Sequence, residues 1–506
     1  MLSTLFHAAL AGLAAVGAAS ETTTAPSDGL LSCKALVTAD LGNNVLFPST
    51  PGDGYQASLS SYYSLDVREI KPACVYRPQT ANDVSRAIKV LSKLPSARVA
   101  VRGGGHSVWP NNNIADGVTI DLSLLSQTQV HEPSKSNSAL IAAIGAGSRW
   151  EPALLEVEKY GLSITAGRVS TVGVAGLTLG GGLSFHSGRH GFTCDGVVNY
   201  EVVLADGQVV NANAKQNRDL FKALKGGSGN FGIVTRFDFA AFPAGKLYGG
   251  LATATWDHRQ TIVDSFIRLV NINEQHPADS QIVVLSYDAP TKSKTVSSIA
   301  VNVDGATNST SFAPMAAVPW VYDTRKTQTY GEMVVGLSDA GGERDVWFSL
   351  CFQNNKLLTD KATELFENLV AESQGEADMN RVLLIFQQLP KHYAQKNPGG
   401  NVLGVDKTLT ENSILCQFEA YVKTREAEAL FHSKIVDIVA ELEDYAESIG
   451  AATQWRYLNY ADPSQDPLKS YGPENVAFMK KVSAKYDPKG FFQTRVPGGF
   501  KISHVN

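Results

Sequence analysis

Apolar residues recur along this chain with two different periods. Val84, Ala87, Ile88, Leu91 and Leu94 fall at helical spacing, with Pro78 before them and Pro95 after, which predicts a helix over 80–94. Shorter apolar and β-branched runs read as strands at 99–101, 118–122, 140–144, 198–204 and 233–239. Val209-Val210 returns after the turn Ala205-Asp206-Gly207. Short helices are predicted over 150–159 and 220–224, so this stretch reads as one mixed α+β unit. From about Lys246 the texture changes. Strand-like runs at 251–256, 281–287, 298–303, 346–352, 382–387 and 414–422 alternate with helical runs such as 360–374 and 425–445. That pattern predicts an antiparallel sheet with helices on one face. Residues 25–66, rich in Pro, Gly, Ser and Tyr, read as a loop-rich lead-in, and after Ala451 the chain turns polar and aromatic again.

Composition narrows the class. The 506 residues are 43% hydrophobic, and 44 basic against 49 acidic residues leave a net charge of −5. The apolar share supports a large core, and the acidic balance argues against a general nucleic-acid binder. Residues 2–19 carry no charge and run into small residues at Gly17, Ala18, Ala19 and Ser20, then a polar start. This order predicts a secretory signal peptide over 1–20 and a secreted protein, the alternative being an N-terminal anchor helix. Of five cysteines, Cys33 and Cys74 share the irregular N-terminal section, and an oxidising compartment permits their pairing. The alternative is five buried thiols. Asn308-Ser309-Thr310 is an N-glycosylation sequon. No cysteine spacing suits zinc, and no metal is expected.

The 44 glycines are clustered. Gly227-Ser228-Gly229-Asn230-Phe231-Gly232 fits GxGxxG by letter, but a helix precedes it and a strand follows, the reverse of a dinucleotide fingerprint. Neither a Gly-Lys-Ser/Thr phosphate loop nor a GxSxG nucleophile elbow occurs. Arg102-Gly103-Gly104-Gly105-His106-Ser107 follows a strand without entering a helix. Three successive glycines expose several N–H groups in one turn, a nest for an anion such as a diphosphate, to which Arg102 adds charge. His106 is the one nucleophilic side chain in that loop. The second cluster, residues 167–182, mixes glycine with β-branched residues and has almost no charge, which suits backbone laid flat against a large planar ligand.

With these clusters stand Cys74-Val75-Tyr76-Arg77-Pro78, Asp116-Gly117 before the strand at 118–122, Asp195-Gly196-Val197-Val198, residues 219–235, Tyr457-Leu458-Asn459-Tyr460-Ala461-Asp462 and Lys485-Tyr486-Asp487-Pro488. Together and in this order they resemble the FAD-linked oxidoreductases with a PCMH-type FAD-binding domain, and among them the secreted fungal berberine-bridge-enzyme-like proteins. The match is dense over 74–240 and 455–500 and thinner between. The resemblance implies a two-part PCMH-type FAD-binding domain over 67–243, a substrate domain over 246–450, and a segment over 451–506 that returns to the FAD domain.

Roles follow position by position. His106 matches the histidine that links covalently to the flavin, with Arg102, Gly103, Gly104, Gly105 and Ser107 around it. Thr171, Gly173, Gly176, Thr178 and Gly181 of the second cluster, Gly232 and Val234 of the third, and Asn459 are expected at the cofactor. Val169 stands where many relatives carry a second linking cysteine, so a single histidyl bond to FAD is expected. Val172 stands where relatives gate oxygen, and its size is compatible with an oxidase. Tyr460 matches a tyrosine that acts as base in some members. Leu183 and His190 replace two tyrosines common in relatives, and His190 is a candidate for proton transfer. Strand alternation points one of Gln387 and Gln388 at the flavin side, with Gln387 taken as the substrate contact. The expected activity is oxidation of an alcohol- or amine-bearing small molecule of secondary metabolism, with O2 as acceptor and H2O2 as product, by a monomer without membrane or nucleic-acid partners. A sugar C1 oxidase and a non-catalytic flavin-binding protein are the alternatives.

Overall fold

The computed structural model describes residues 27–132, 139–397 and 399–505. The expected signal peptide lies outside the described residues. The helix read from periodicity is Ala81–Leu91, where Thr80 and Asp83 form a capping box and Val84, Ala87, Ile88 and Leu91 are buried.

Three sheets carry the fold. The first runs in the order Val45–Leu46, Cys74–Tyr76, Val118–Asp121, Val99–Arg102, its last three strands parallel. The second is antiparallel, in the order Thr128–His131, Ile141–Gly145, Ile233–Ala240, Val197–Val203, Val209–Asn213. The third has nine strands, and at its centre Asp279–Asp288, Met379–Leu389, Ser413–Val422 and Arg344–Gln353 lie side by side, all antiparallel. The predicted α+β architecture, with helices on one face of an antiparallel sheet, is what these sheets make.

Alternation decides what each face of the large sheet does. Phe348, Phe352, Phe386 and Phe418 turn to one side and form a core with the helices Arg259–Ile272, Lys356–Glu372 and Arg425–Ser448. Their strand neighbours Asp345, Trp347, Gln387, Gln417 and Glu419 turn to the other side, towards the smaller sheets.

The lead-in differs from expectation. It holds the helices Asp28–Leu36, Gly54–Ser60 and Leu65–Arg68, and Tyr55, Leu59, Tyr62, Val67 and Val75 form a small core. These helices are too short for a periodic pattern to show. A disulfide joins Cys33 to Cys74 and ties this segment to the first sheet. After Thr453 the chain packs back on the glycine-rich half: Trp455 Nε1 donates to the Leu403 carbonyl, Gln493 to that of Asn230, and Arg495 to that of Leu94. No described helix is long and apolar enough to cross a membrane.

Candidate active site

The two main glycine clusters meet backbone to backbone. A Cβ on Gly104 would lie 2.4 Å from the Gly173 Cα and 2.5 Å from its N, and a Cβ on Gly173 would lie 2.4 Å from the Gly104 N. Neither position has room for any side chain. Gly105 turns the loop with φ +71°. The second cluster then winds into the short helix Val174–Leu179, a turn that the sequence pattern did not announce. On it Gly176 faces open space, with no atom within 4 Å of a Cβ. A cavity of ≈ 480 Å³ opens beside this crossing, lined among others by Gly103, Gly104, Arg149 and Thr171.

Arg102 lines this cavity too, but its charge is already committed. Its guanidinium donates to the Ser58 carbonyl at 2.5 Å and to the Ser61 hydroxyl at 2.7 Å, pairs with Asp121 at 3.5 Å, and lies 3.9 Å above the Tyr62 ring. It anchors the lead-in helix, and Arg149 lines the cavity as well. That residue donates to the carbonyls of Ser61 and Gly104, both at 3.1 Å, and burial, with the charge of Arg102, lowers its pKa.

His106 closes the loop. Its Nε2 lies 3.2 Å from the Thr171 hydroxyl, and its ring stacks on Tyr63 at 4.1 Å. Burial holds its imidazole down to about 4, so it is neutral at pH 7 with a free nitrogen lone pair, the form a nucleophile needs. Contacts continue round a ring. Tyr63 meets Trp347 edge-on at 6.1 Å, and Trp347 meets Tyr460 edge-on at 6.3 Å. Tyr460 accepts a hydrogen bond of 3.1 Å from Arg168, three residues before Thr171.

Behind this ring the large sheet supplies a polar chain. Arg168 Nη2 donates to Gln387 Oε1 at 2.5 Å, Gln387 Nε2 to Gln417 Oε1 at 2.5 Å, and Gln417 Nε2 to Glu419 Oε1 at 3.0 Å. The Tyr421 hydroxyl donates to Glu419 Oε2 at 2.8 Å. Glu419 is 3% exposed, and burial pushes its carboxyl up to about 7, against the pull of Tyr421 and Arg381.

The expected residues therefore divide. His106 meets Thr171, Gly104 meets Gly173, and Tyr460 and Gln387 meet at Arg168, with Val169 and Val172 half-buried beside Thr171 and Gly176 exposed. Gln388 turns away and bonds Tyr393 and the Asp279 carbonyl. Asn459 spends its amide on the Leu177 carbonyl and the Tyr457 hydroxyl, clamping the second cluster from behind. Ser107 caps its own turn by donating to the Trp109 carbonyl. Gly103 packs on the Ala175 Cβ, Gly181 on Leu403, and Gly232 on Val202, where a Cβ would lie 2.6 Å away. Thr178 and Val234 are buried. His190 is not brought to the ring: it stacks on Phe242 at 4.1 Å, beside His186. Sequence reasoning missed Tyr63, Arg149, Arg168, Trp347, Gln417 and Glu419. For Gln417 and Glu419 a signal existed, since both are polar positions alternating within a run otherwise read as buried strand.

A glycine-walled cleft with a neutral histidine on one side and a polar, tyrosine-bearing sheet face on the other defines a flavin-dependent oxidoreductase. Residues 72–213 match the family model of an FAD binding domain. The chain is 32% identical over 461 residues to FAD-dependent monooxygenase drtC of Aspergillus calidoustus, covering 89% of this chain and 86% of that protein. The fold is shared with glucooligosaccharide oxidase from Acremonium strictum (TM-score 0.69, 21% identity, 94% of this chain and 98% of that one). It is shared also with berberine bridge enzyme from Eschscholzia californica (TM-score 0.70, 16% identity, 92% and 97%). The chain belongs to the FAD-linked oxidoreductases with a PCMH-type FAD-binding domain, the berberine-bridge-enzyme-like family.

The residues present fit FAD. The crossing at Gly104 and Gly173 leaves a side-chain-free backbone surface, Gly176 faces open space, and the buried Trp347 indole N–H has no partner among the described residues.

Proposed function

We propose that this protein is a secreted oxidase that takes a hydride from an alcohol- or amine-bearing small molecule of secondary metabolism and passes the electrons to O2. The observation that carries this reading is the unbroken run of contacts from His106 through Tyr63, Trp347 and Tyr460 to Arg168. FAD, when bound, supplies the hydride acceptor and the route of both electrons to O2 as H2O2.

The chain's own residues do the rest. His106 holds the cofactor by one covalent bond. Val169 offers no second sulfur, unlike the glucooligosaccharide oxidase, whose FAD carries both a cysteinyl and a histidyl link. Tyr63 and Trp347 wall the site with aromatic surface and exclude water. Tyr460 takes the substrate proton, and the Arg168 guanidinium stabilises the negative charge a base must carry on that oxygen. Val172, small and half-buried, leaves O2 an approach. Secretion is supported by the Cys33–Cys74 disulfide and by exposure of the Asn308 sequon.

The relative drtC is called a monooxygenase, which favours a second outcome, transfer of an oxygen atom to substrate. One experiment separates the two. Purified protein is run on a denaturing gel and scored for a fluorescent flavin band, then screened for O2 uptake over alcohols, amines and sugars. The oxidase reading expects a fluorescent band and one H2O2 per O2. Uptake without H2O2, with labelled oxygen in the product, gives the second reading, and bound flavin that no substrate reduces refutes both.

A further inference from the structure

Arg168 is a cation with no carboxylate directly bonded to it. Both hydrogen bonds from its Nη2 go to neutral oxygens, those of Gln387 and Tyr460. The first carboxylate along its bonded chain is Glu419, held off behind Gln387 and Gln417. Each glutamine turns its carbonyl towards Arg168 and its amide away, so the pair orients the guanidinium without neutralising it. Gln387 and Gln417 are 4% and 1% exposed, which locks that polarity. The other groups in the field of Arg168 are the phenols of Tyr330, Tyr393 and Tyr457, none of them charged at neutral pH. Its Nε and Nη1 make no hydrogen bond among the described residues and are not fully buried. A half-buried guanidinium held this way has shed water on one side and gains most from an anionic oxygen on the other.

Resting on the oxidoreductase reading above, we propose that Arg168 binds an anionic oxygen of the substrate, a carboxylate or an acidic phenol or enol. That contact sets the carbon to be oxidised beside Tyr460. The charge that attracts such an oxygen repels an ammonium, so the site selects acidic substrates over cationic amines, and over neutral sugars, which offer no full charge to it.

The test uses three matched probes. Benzoate, benzyl alcohol and benzylamine are titrated in turn into the full-length, flavin-loaded protein at pH 7, and the visible flavin absorption is followed. The expected result is a saturable shift with benzoate at concentrations at least about tenfold below those for benzyl alcohol, and weaker binding still for benzylamine. Arg168→Gln erases the preference, so that benzoate binds no more tightly than benzyl alcohol to the same variant, and Arg168→Lys keeps part of it. Equal affinities for the three probes in the unaltered protein overturn the proposal without any variant being needed. So does an Arg168→Gln protein whose flavin spectrum is altered before any probe is added but whose benzoate affinity is intact, since Arg168 then serves the cofactor. The two readings fail separately: absence of O2 uptake with every compound sinks the oxidase and leaves the benzoate preference standing.

Discussion

Asp345 holds the sharpest prediction for stability. It lies on the site face of the large sheet opposite Tyr421, is 6% exposed, and has no well-formed hydrogen bond to either carboxylate oxygen among the described residues. Burial pushes its carboxyl from 3.8 up to about 8, with the carboxylates of Glu419, Glu343 and Asp66 pushing the same way and the Ser64 hydroxyl opposing. A folded-state value above the unfolded one means stability that is complete below about pH 4 and lost as pH rises through about 8. One pK unit corresponds to ~1.4 kcal/mol, so the whole window represents on the order of 6 kcal/mol, spread at ~1.4 kcal/mol per pH unit. Asp345→Asn keeps the shape of the neutral acid at every pH. Urea unfolding of both proteins from pH 4 to pH 8 reads the effect. The two curves should nearly coincide at the acid end and separate steadily, the variant being the more stable at pH 8. Parallel curves would show that Asp345 ionises freely in the folded protein and refute the reasoning.

Four further outcomes are expected. Gly104→Ala puts a methyl group 2.4 Å from the Gly173 backbone, so the purified variant should carry little or no flavin, read from the ratio of visible to ultraviolet absorbance; normal flavin content would show that the crossing can open. Cys33→Ser removes a crosslink spanning 41 residues, an expected loss of ~3–4 kcal/mol, and reductant should lower the midpoint of the unaltered protein but not of the variant. Burial holds the imidazoles of His186 and His392 down to about 3 and about 4. Their folded values lie below the unfolded one, so their contribution is complete above about pH 6.5 and lost as pH falls through 4. His392→Phe should therefore flatten the acid limb of a Tm–pH profile, and an unchanged limb would count against it. Tyr460→Phe should lower kcat by about a hundredfold or more while the denaturing-gel flavin band stays, a split that separates proton transfer from cofactor attachment.

What could be read from the residues in order was local chemistry. Three adjacent glycines ending in a histidine, and a second glycine stretch whose one charge is Arg168, announce backbone exposed to an anion and to a planar ligand because backbone exposure and φ freedom are properties of the residues themselves; the flavin came from the resemblance of the motifs taken in order. The helical period over 80–94 and the strands after 246 were legible for the same reason, since amphipathic period is written in neighbours. Alternation separated Gln387 from Gln388, and Gln387 is the one that meets Arg168. The lead-in was misjudged because helices of four to nine residues carry too few turns to show a period, and their order comes from packing on the first sheet.

The tertiary structure alone decided which charged groups meet. Arg168 reaches Gln387 across 219 residues of sequence and Tyr460 across 292. Arg102, which looked like the anion's partner from its place beside the glycines, is consumed by a helix more than forty residues upstream. His190 looked catalytic from its motif and is turned onto Phe242. A side chain's partners are fixed by which faces of distant elements are pressed together, and burial then sets the charge each partner can carry. The chain announces the cradle; folding decides which groups each arginine meets.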